Sequence, residues 1–392
     1  QLPAAPEPNL LFLQLVAALR EGGAVINEAV GWAAVSPSGV PGLVARGPLG
    51  AADEVARVPA TLQVSTALAR ERAPELVAAV SSIRAGVRIE CPVLVTFVAQ
   101  LLTELEERGW CGSGDGAGAS PGSAAASWLD LFVGMQLGSD FGTMPQVLLV
   151  GDERRRKLFA PSPEVENADW EQSALLDAYA TVVQNGSARP DCIKFNRFVQ
   201  AYLMLLTRTF DCQRGHRFVP VVDMMNHSST PNAAWAFDDL GALVVKTTRP
   251  LQEGEEVLIS YGQEKSNVRF FRSYGFTLPP CEERCFSFRI RPPQADHIYS
   301  LFLPGAARRK VLDLETCRVD KTLRIVLRLC ASHGSDPADF LRALCRHFLE
   351  RYEHDPLLRP MLGGDGVARL VSQDSSDWWT WGGEAKQHGE VK

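Results

Sequence analysis

The sequence contains no apolar run long enough to span a bilayer. Its apolar stretch Leu10–Leu19 is short and ends at Arg20, which reads as an amphipathic or buried helix. Positive charge is not in surplus: 40 basic residues stand against 46 acidic ones, a formal net charge of -6. Broad binding along a phosphate backbone needs a basic face, so no nucleic-acid partner is expected. Paired cysteines are scarce. Of the 9 cysteines only Cys281 and Cys285 lie close together, with no second pair and no nearby histidine at zinc-finger spacing. Free thiols in a reducing compartment follow, and no metal is expected. Internal repeats are also lacking. What remains, 392 residues of which 46% are hydrophobic and 22% charged, is the balance of a soluble globular chain with a sizeable core.

Turn residues punctuate the first part of the chain. Between Gly31 and Pro59, apolar triplets such as Ala33-Ala34-Val35 and Leu43-Val44-Ala45 alternate with clusters such as Ser36-Pro37-Ser38-Gly39, the pattern of short strands. A helix is expected from about Cys91 to Arg108, with Pro92 in its first turn and Gly109 as its left-handed cap. Cys111–Ser127 is nearly all Gly, Ala and Ser and reads as a surface loop, and Arg154–Lys157 as a solvated basic face. Phe195, Phe198, Val199, Tyr202, Leu205 and Leu206 recur at helical spacing. Strands are then expected at Phe218–Val222, Ala233–Phe237, Ala242–Thr247 and Val257–Ser260, with Asp238-Asp239-Leu240-Gly241 as a hairpin turn. Beyond Pro280 the chain turns helical again. Ser335-Asp336-Pro337 opens a helix whose apolar stripe is Phe340, Leu341, Leu344, Phe348 and Leu349. Trp378, Trp379 and Trp381 sit among polar residues in the tail, suited to docking on the body or on a partner.

The most informative stretch runs from Thr207 to Phe276. It holds Thr207-Arg208-Thr209-Phe210, then Val222-Asp223-Met224-Met225-Asn226-His227-Ser228, then Gly254–Gly262 ending in Ser260-Tyr261-Gly262. Lys265-Ser266-Asn267 and Ser273-Tyr274-Gly275-Phe276 follow. Taken singly, His227 reads as a structural histidine, Tyr261 as a strand aromatic, and Arg208 with Asp223 as a plain ion pair. In this order and spacing the fragments resemble the C-terminal half of a SET domain, in the plastid Rubisco large-subunit methyltransferase subclass that carries a helical insertion. Gly42-Leu43-Val44-Ala45, Asp53-Glu54-Val55 and Val58-Pro59 resemble the opening segments of that domain.

The resemblance implies an α+β fold of small β-sheets with a pseudoknot. A SET domain over residues 31–276, with an insertion at about 85–210, would follow an N-terminal helical segment, 1–30. A shortened helical region over 277–360 would resemble the family's substrate-binding domain, ahead of a tail at 361–392. It implies S-adenosyl-L-methionine as cofactor, held by Gly42, Leu43, Arg208, Asp223, Asn226, His227 and Tyr261. Tyr261 matches the catalytic tyrosine, and Tyr274 a second aromatic wall of the acceptor channel. The implied reaction transfers a methyl group to a lysine of another protein, although some relatives modify histidine. Such a reaction is an in-line displacement, so the enzyme chiefly positions two partners and manages charge.

The sequence departs from the family at Ser38-Gly39-Val40-Pro41, at Arg57, where an apolar residue is usual, and at Leu137-Gly138. These departures, the glycine-rich segment and the tryptophan tail suit a second class of function: a SET-fold subunit without turnover, built into a larger organellar assembly. The first residue is Gln1 rather than Met, as a removed targeting peptide or a partial chain would leave it. Organelle import is the expectation, to a plastid before a mitochondrion.

Overall fold

Glycine and proline set the ends of the first elements, as their backbone limits require. The computed structural model describes residues 10–34, 40–83, 89–110, 126–137, 164–185, 193–212, 215–262, 265, 267–279, 300–307, 319–343 and 346. Helix α1 (Leu10–Glu21) buries Phe12, Leu15, Val16 and Leu19. It stops at Gly22-Gly23, where Gly23 adopts φ +94°. Strands β1 (Val25–Ile26), β2 (Val30–Ala34), β3 (Pro41–Ala45) and β4 (Glu54–Val58) follow in the expected region. β2 and β3 pair antiparallel, with Trp32 opposite Leu43 and Ala33 opposite Gly42.

After β5 (Val64–Ser65) the chain becomes helical. Ser65 caps α2 (Thr66–Arg72) by accepting a hydrogen bond from the Leu68 N–H at 3.3 Å. Next come α3 (Pro74–Ile83), α4 (Pro92–Glu107), α5 (Trp128–Leu137), α6 (Glu164–Asn185) and α7 (Phe195–Arg208). Pro92 stands in the first turn of α4 and Gly109, at φ +79°, lies just past its end, as the sequence led us to expect. α4 and α7 pack along one another. α7 turns Phe198, Ala201, Tyr202 and Leu205 into the core and leaves Phe195 partly exposed.

The expected strand at Phe218–Val222 is corrected. β6 (Thr209–Cys212) and β7 (Gly215–Phe218) form the hairpin, and the ladder ends at Phe218. Pro220 has no N–H to give a ladder. Beyond it Val221 takes φ +72° and Val222–Met224 form a 3-10 turn. Val219, Val221 and Val222 are all fully buried, so the apolar run records burial and not strand pairing.

β8 (Asn226–His227), β9 (Ala233–Phe237), β10 (Leu243–Thr247) and β11 (Leu258–Ile259) complete the strands, and α8 (Asn267–Tyr274) follows. The β9–β10 turn is closed by Asp238, whose Oδ1 accepts from the N–H groups of Leu240 (3.1 Å) and Ala242 (2.9 Å), with Gly241 at φ +81°. The strands form small sheets ordered β1-β4-β10-β9, β2-β3, β5-β7-β6 and β8-β11. Small sheets beside separate helices make an α+β fold.

Arg57, the unexpected charge in β4, is compensated across the sheet. Its guanidinium bonds Glu54 at 2.7 Å and Asp238 at 2.8 Å, and these partners raise its pKa further.

The chain divides into two compact units, one of Gln1–Val150, Glu166–Lys265 and Phe270–Phe276, the other of Gly151–Val165, Ser266–Arg269 and Thr277–Lys392. The first holds the main core. In the second, Leu303, Ala307, Val326, Cys330 and Phe340 form a separate core that includes helix α9 (Val319–Ser332). The expected helix after Ser335 spans 337–343, with Asp336 Oδ1 accepting from the Ala338 N–H at 2.8 Å. Ser38-Gly39, residues 111–125, Gly138, Arg154–Lys157, Cys281, Cys285, Leu344, Phe348, Leu349 and the tryptophan tail lie outside the described residues. No described helix is long and apolar enough to cross a membrane.

Candidate active site

Parallel pairing of two short strands assembles the site. Asn226 stands opposite Leu258 and His227 opposite Ile259, and the Ser228 N–H continues the ladder to the Ile259 carbonyl at 3.0 Å. The register brings Tyr261, two residues past β11, against His227. The Tyr261 N–H donates to His227 Nδ1 at 3.0 Å, and the Tyr261 hydroxyl donates to the Met225 carbonyl at 2.7 Å. Because Nδ1 accepts, a neutral His227 carries its proton on Nε2. Burial drives the Tyr261 pKa up, so its phenol stays protonated at neutral pH.

The Asn226 amide links three parts of the chain. Its Nδ2 donates to Glu256 Oε1 at 2.6 Å and to the Pro41 carbonyl at 3.2 Å. Gly42 and Leu43 lie next along β3, where the Leu43 carbonyl accepts the Val257 N–H at 2.7 Å. Burial raises the Glu256 pKa, and the bond from Asn226 opposes that rise. Arg208, at the end of α7, sends Nη1 to the Asp223 carbonyl at 3.2 Å and stands 3.6 Å from Asp223 Oδ2. The Asp223 side chain is fully buried, and burial pushes its pKa up to about 6 against the pull of Arg208. Both Asp223 oxygens and Arg208 Nε lack a hydrogen-bond partner among the described residues.

Aromatic rings wall the Tyr261 side. His227 lies 5.3 Å from Tyr261 and 4.8 Å from Phe270, centroid to centroid. Tyr274 lies 4.8 Å from Tyr261, and Phe276 lies 5.4 Å from Phe270. Gly275 takes φ +79°, which lets Tyr274 and Phe276 both face the cluster. The two tyrosine hydroxyls have different partners: Tyr261 Oη bonds Met225, whereas Tyr274 Oη accepts from Lys265 Nζ at 2.8 Å. A buried brace holds the other face of α8. Glu171 accepts from the Tyr202 hydroxyl at 2.7 Å and meets Arg272 at 3.3 Å.

Thus Gly42, Leu43, Arg208, Asp223, Asn226, His227, Tyr261 and Tyr274 all belong to one unit. Sequence reasoning missed Asn232 and Glu256. Asn232 is buried and ties the loop after β8 to β11, accepting from the Leu258 N–H and donating to the Glu256 carbonyl, both at 2.8 Å. Its one sequence signal is the Pro231-Asn232 turn pair. Among the described residues no group of three or more His, Cys, Asp or Glu side chains is placed to hold a metal ion.

Comparison with known proteins bears on this arrangement. The SET domain profile matches residues 42–262. SET domain-containing protein 8 of Schizosaccharomyces pombe is 43% identical over 65 residues, 17% of this chain and 15% of that protein. The chloroplastic ribulose-1,5 bisphosphate carboxylase/oxygenase large subunit N-methyltransferase of Pisum sativum is 26% identical over 183 residues, 42% of this chain and 37% of that one. A solved structure of Rubisco LSMT bound to AdoMet superposes with a TM-score of 0.54 at 16% identity, covering 74% of this chain and 63% of that one. The matches therefore span well under half of the two curated relatives. With the matched profile running from the Gly42-Leu43 strand to the Tyr261-Gly262 turn, more than half of its length, the chain belongs to the SET domain family.

Proposed function

We propose that this chain is an S-adenosyl-L-methionine-dependent protein methyltransferase whose acceptor is a lysine side chain of another protein. The observation that carries the reading is the convergence of Asn226-His227 with Tyr261 and Tyr274 through the β8–β11 pairing. The residues fit the cofactor. The Arg208 and Asp223 side-chain atoms without a hydrogen bond, with the Asn226 amide and Glu256, match the ammonium, carboxylate and hydroxyl groups of an amino-acid nucleoside. Gly42, Leu43, Arg208, Asp223, Asn226, His227 and Tyr261 are the residues assigned to hold it. When bound, it supplies an electrophilic methyl group.

The chain's own residues do the rest. The Met225 carbonyl orients the neutral Tyr261 hydroxyl, and His227 fixes the backbone at Tyr261. Rings of Tyr261, Phe270, Tyr274 and Phe276 exclude water. An amine buried among them loses its proton more readily, and the neutral amine is the nucleophile. Oxygen acceptors beside aromatic faces suit an ammonium-bearing acceptor, which supports lysine.

The domain plan of the proposal makes α4–α7, within residues 85–210, the helical insertion, and the helical part of the second unit a shortened substrate-binding region. A plastid location is supported by the chloroplastic pea relative.

A second reading is a SET-fold subunit without turnover, within a larger assembly. It is favoured by the Asn226 amide, whose Nδ2 already serves Glu256 and the Pro41 carbonyl. Calorimetric titration with S-adenosyl-L-methionine separates the two. Binding, followed by methyl transfer to proteins of a plastid extract, supports the enzyme. No heat at millimolar cofactor leaves the subunit reading.

A further inference from the structure

Lys265 belongs to the motif stretch and enters the site so far only as the donor to the Tyr274 hydroxyl. An ordinary surface lysine extends into water, where its side chain keeps its rotamer freedom. Lys265 instead turns back. Its N–H reaches the Gly262 carbonyl at 3.3 Å, and Gly262 holds φ +132°. The aliphatic stem lies along Gly262, where a Cβ would meet the Lys265 Cγ, Cδ and Cε atoms at 3.4 Å. The ammonium then donates to the Tyr261 carbonyl and, at 2.8 Å, to the Tyr274 hydroxyl. It stands 5.0 Å from the centroid of the Tyr274 ring, at the ring's hydroxyl edge.

Two oxygen acceptors, here the Tyr261 backbone carbonyl and the Tyr274 hydroxyl, are what a bound alkylammonium needs. The two tyrosines supplying them are those assigned above to the catalytic position and the channel wall. We propose that Lys265 is a resident occupant of the acceptor-amine seat, an internal ammonium that an incoming lysine side chain must displace. This rests on the reading of the Tyr261–Tyr274 cluster as the acceptor channel. Lys265 then acts as a built-in competitor: the apparent affinity for an external amine falls by the fraction of time the seat is free.

The test uses the whole chain without cofactor and n-butylammonium chloride as probe, with binding followed by NMR chemical shifts. Lys265→Met keeps the stem and removes the ammonium, and should bind the probe at least about tenfold more tightly than the parent. Should that variant fail to fold, Lys265→Gln carries the same comparison. Equal affinities, or binding to neither protein, overturn the proposal. S-adenosylhomocysteine titrated calorimetrically into the same samples keeps the two readings apart. If it binds while the amine affinity is unchanged, Lys265 is not the occupant and the methyltransferase reading stands. If it does not bind while Lys265→Met takes the amine more tightly, the seat stands and the methyltransferase reading fails.

Discussion

The backbone N–H of Tyr261 donates to Nδ1 of His227 at 3.0 Å, so the two motif segments are bonded to each other as well as adjacent. This bond fixes the imidazole tautomer and holds the residue whose hydroxyl reaches the Met225 carbonyl. It gives the shared sequence motif a mechanical meaning: the histidine orients the tyrosine's backbone while the preceding segment orients its hydroxyl.

Tyr261→Phe removes the hydroxyl and keeps the ring among Tyr274, His227 and Phe276. Under the proposed function, turnover should fall by about 100-fold, the scale of losing one positioned polar group at a reacting centre. Calorimetry should find the S-adenosyl-L-methionine affinity within about twofold of the parent, since ring packing is conserved. A large loss of affinity with unchanged turnover would move Tyr261 from the reaction to the cofactor.

Asn226→Ala acts on the other side. It removes the amide that joins β8 to Glu256 and Pro41 and leaves the half-buried carboxyl without its donor. The cofactor affinity should weaken by about tenfold or more, the cost of one charge-assisted hydrogen bond. Equal affinity in parent and variant refutes the assignment of Asn226.

Local patterns made much of the fold legible before any coordinates. The β9–β10 hairpin was readable because Asp238 and Gly241 sit at the positions a tight turn demands, and α4 because Pro92 and Gly109 bracket it. Phe218–Val222 misled because a buried apolar run looks the same whether or not it joins a ladder, and Pro220 was the local sign that it does not. Asn232 and Glu256 escaped notice for a different reason. Their roles come from contacts across 24 to 30 positions, which no local periodicity encodes. Arg57 departs from the family's apolar pattern, and its partner Asp238 stands 181 positions away.

The Glu171 brace should show unequal contributions from its two partners. Tyr202 is largely buried and its hydroxyl gives Glu171 a 2.7 Å bond, whereas Arg272 is 38% exposed at 3.3 Å. Tyr202→Phe should cost about 1–3 kcal/mol in chemical denaturation, because it takes a buried donor from the Glu171 carboxyl. Arg272→Met should cost less than about 1 kcal/mol, the range of an exposed ion pair. The reverse order would show that the ion pair to α8, and not the buried bond to α7, carries the brace.

Asp223 should make stability fall with rising pH across a defined window. Its carboxyl is fully buried, with a pKa of about 6 in the folded chain against an ordinary 3.8. Between those values the folded state binds the proton that the unfolded state has released, so this group's contribution is full below about pH 4. It is lost as the pH rises through about 6, by roughly 3 kcal/mol at 1.36 kcal/mol per pKa unit. Glu256, raised by burial, acts in the same direction, whereas Arg197 and the Gln252 N–H hold Glu106 and Glu255 below their usual range, so acid weakens what those two contribute. The difference between Asp223→Asn and the parent isolates the buried group, because the other carboxyls cancel. Measured by chemical denaturation, the variant should gain on the parent by about 2 kcal/mol between pH 4 and pH 7. A difference that stays flat over that range would mean that Arg208 holds Asp223 ionised, at an ordinary carboxylate pKa.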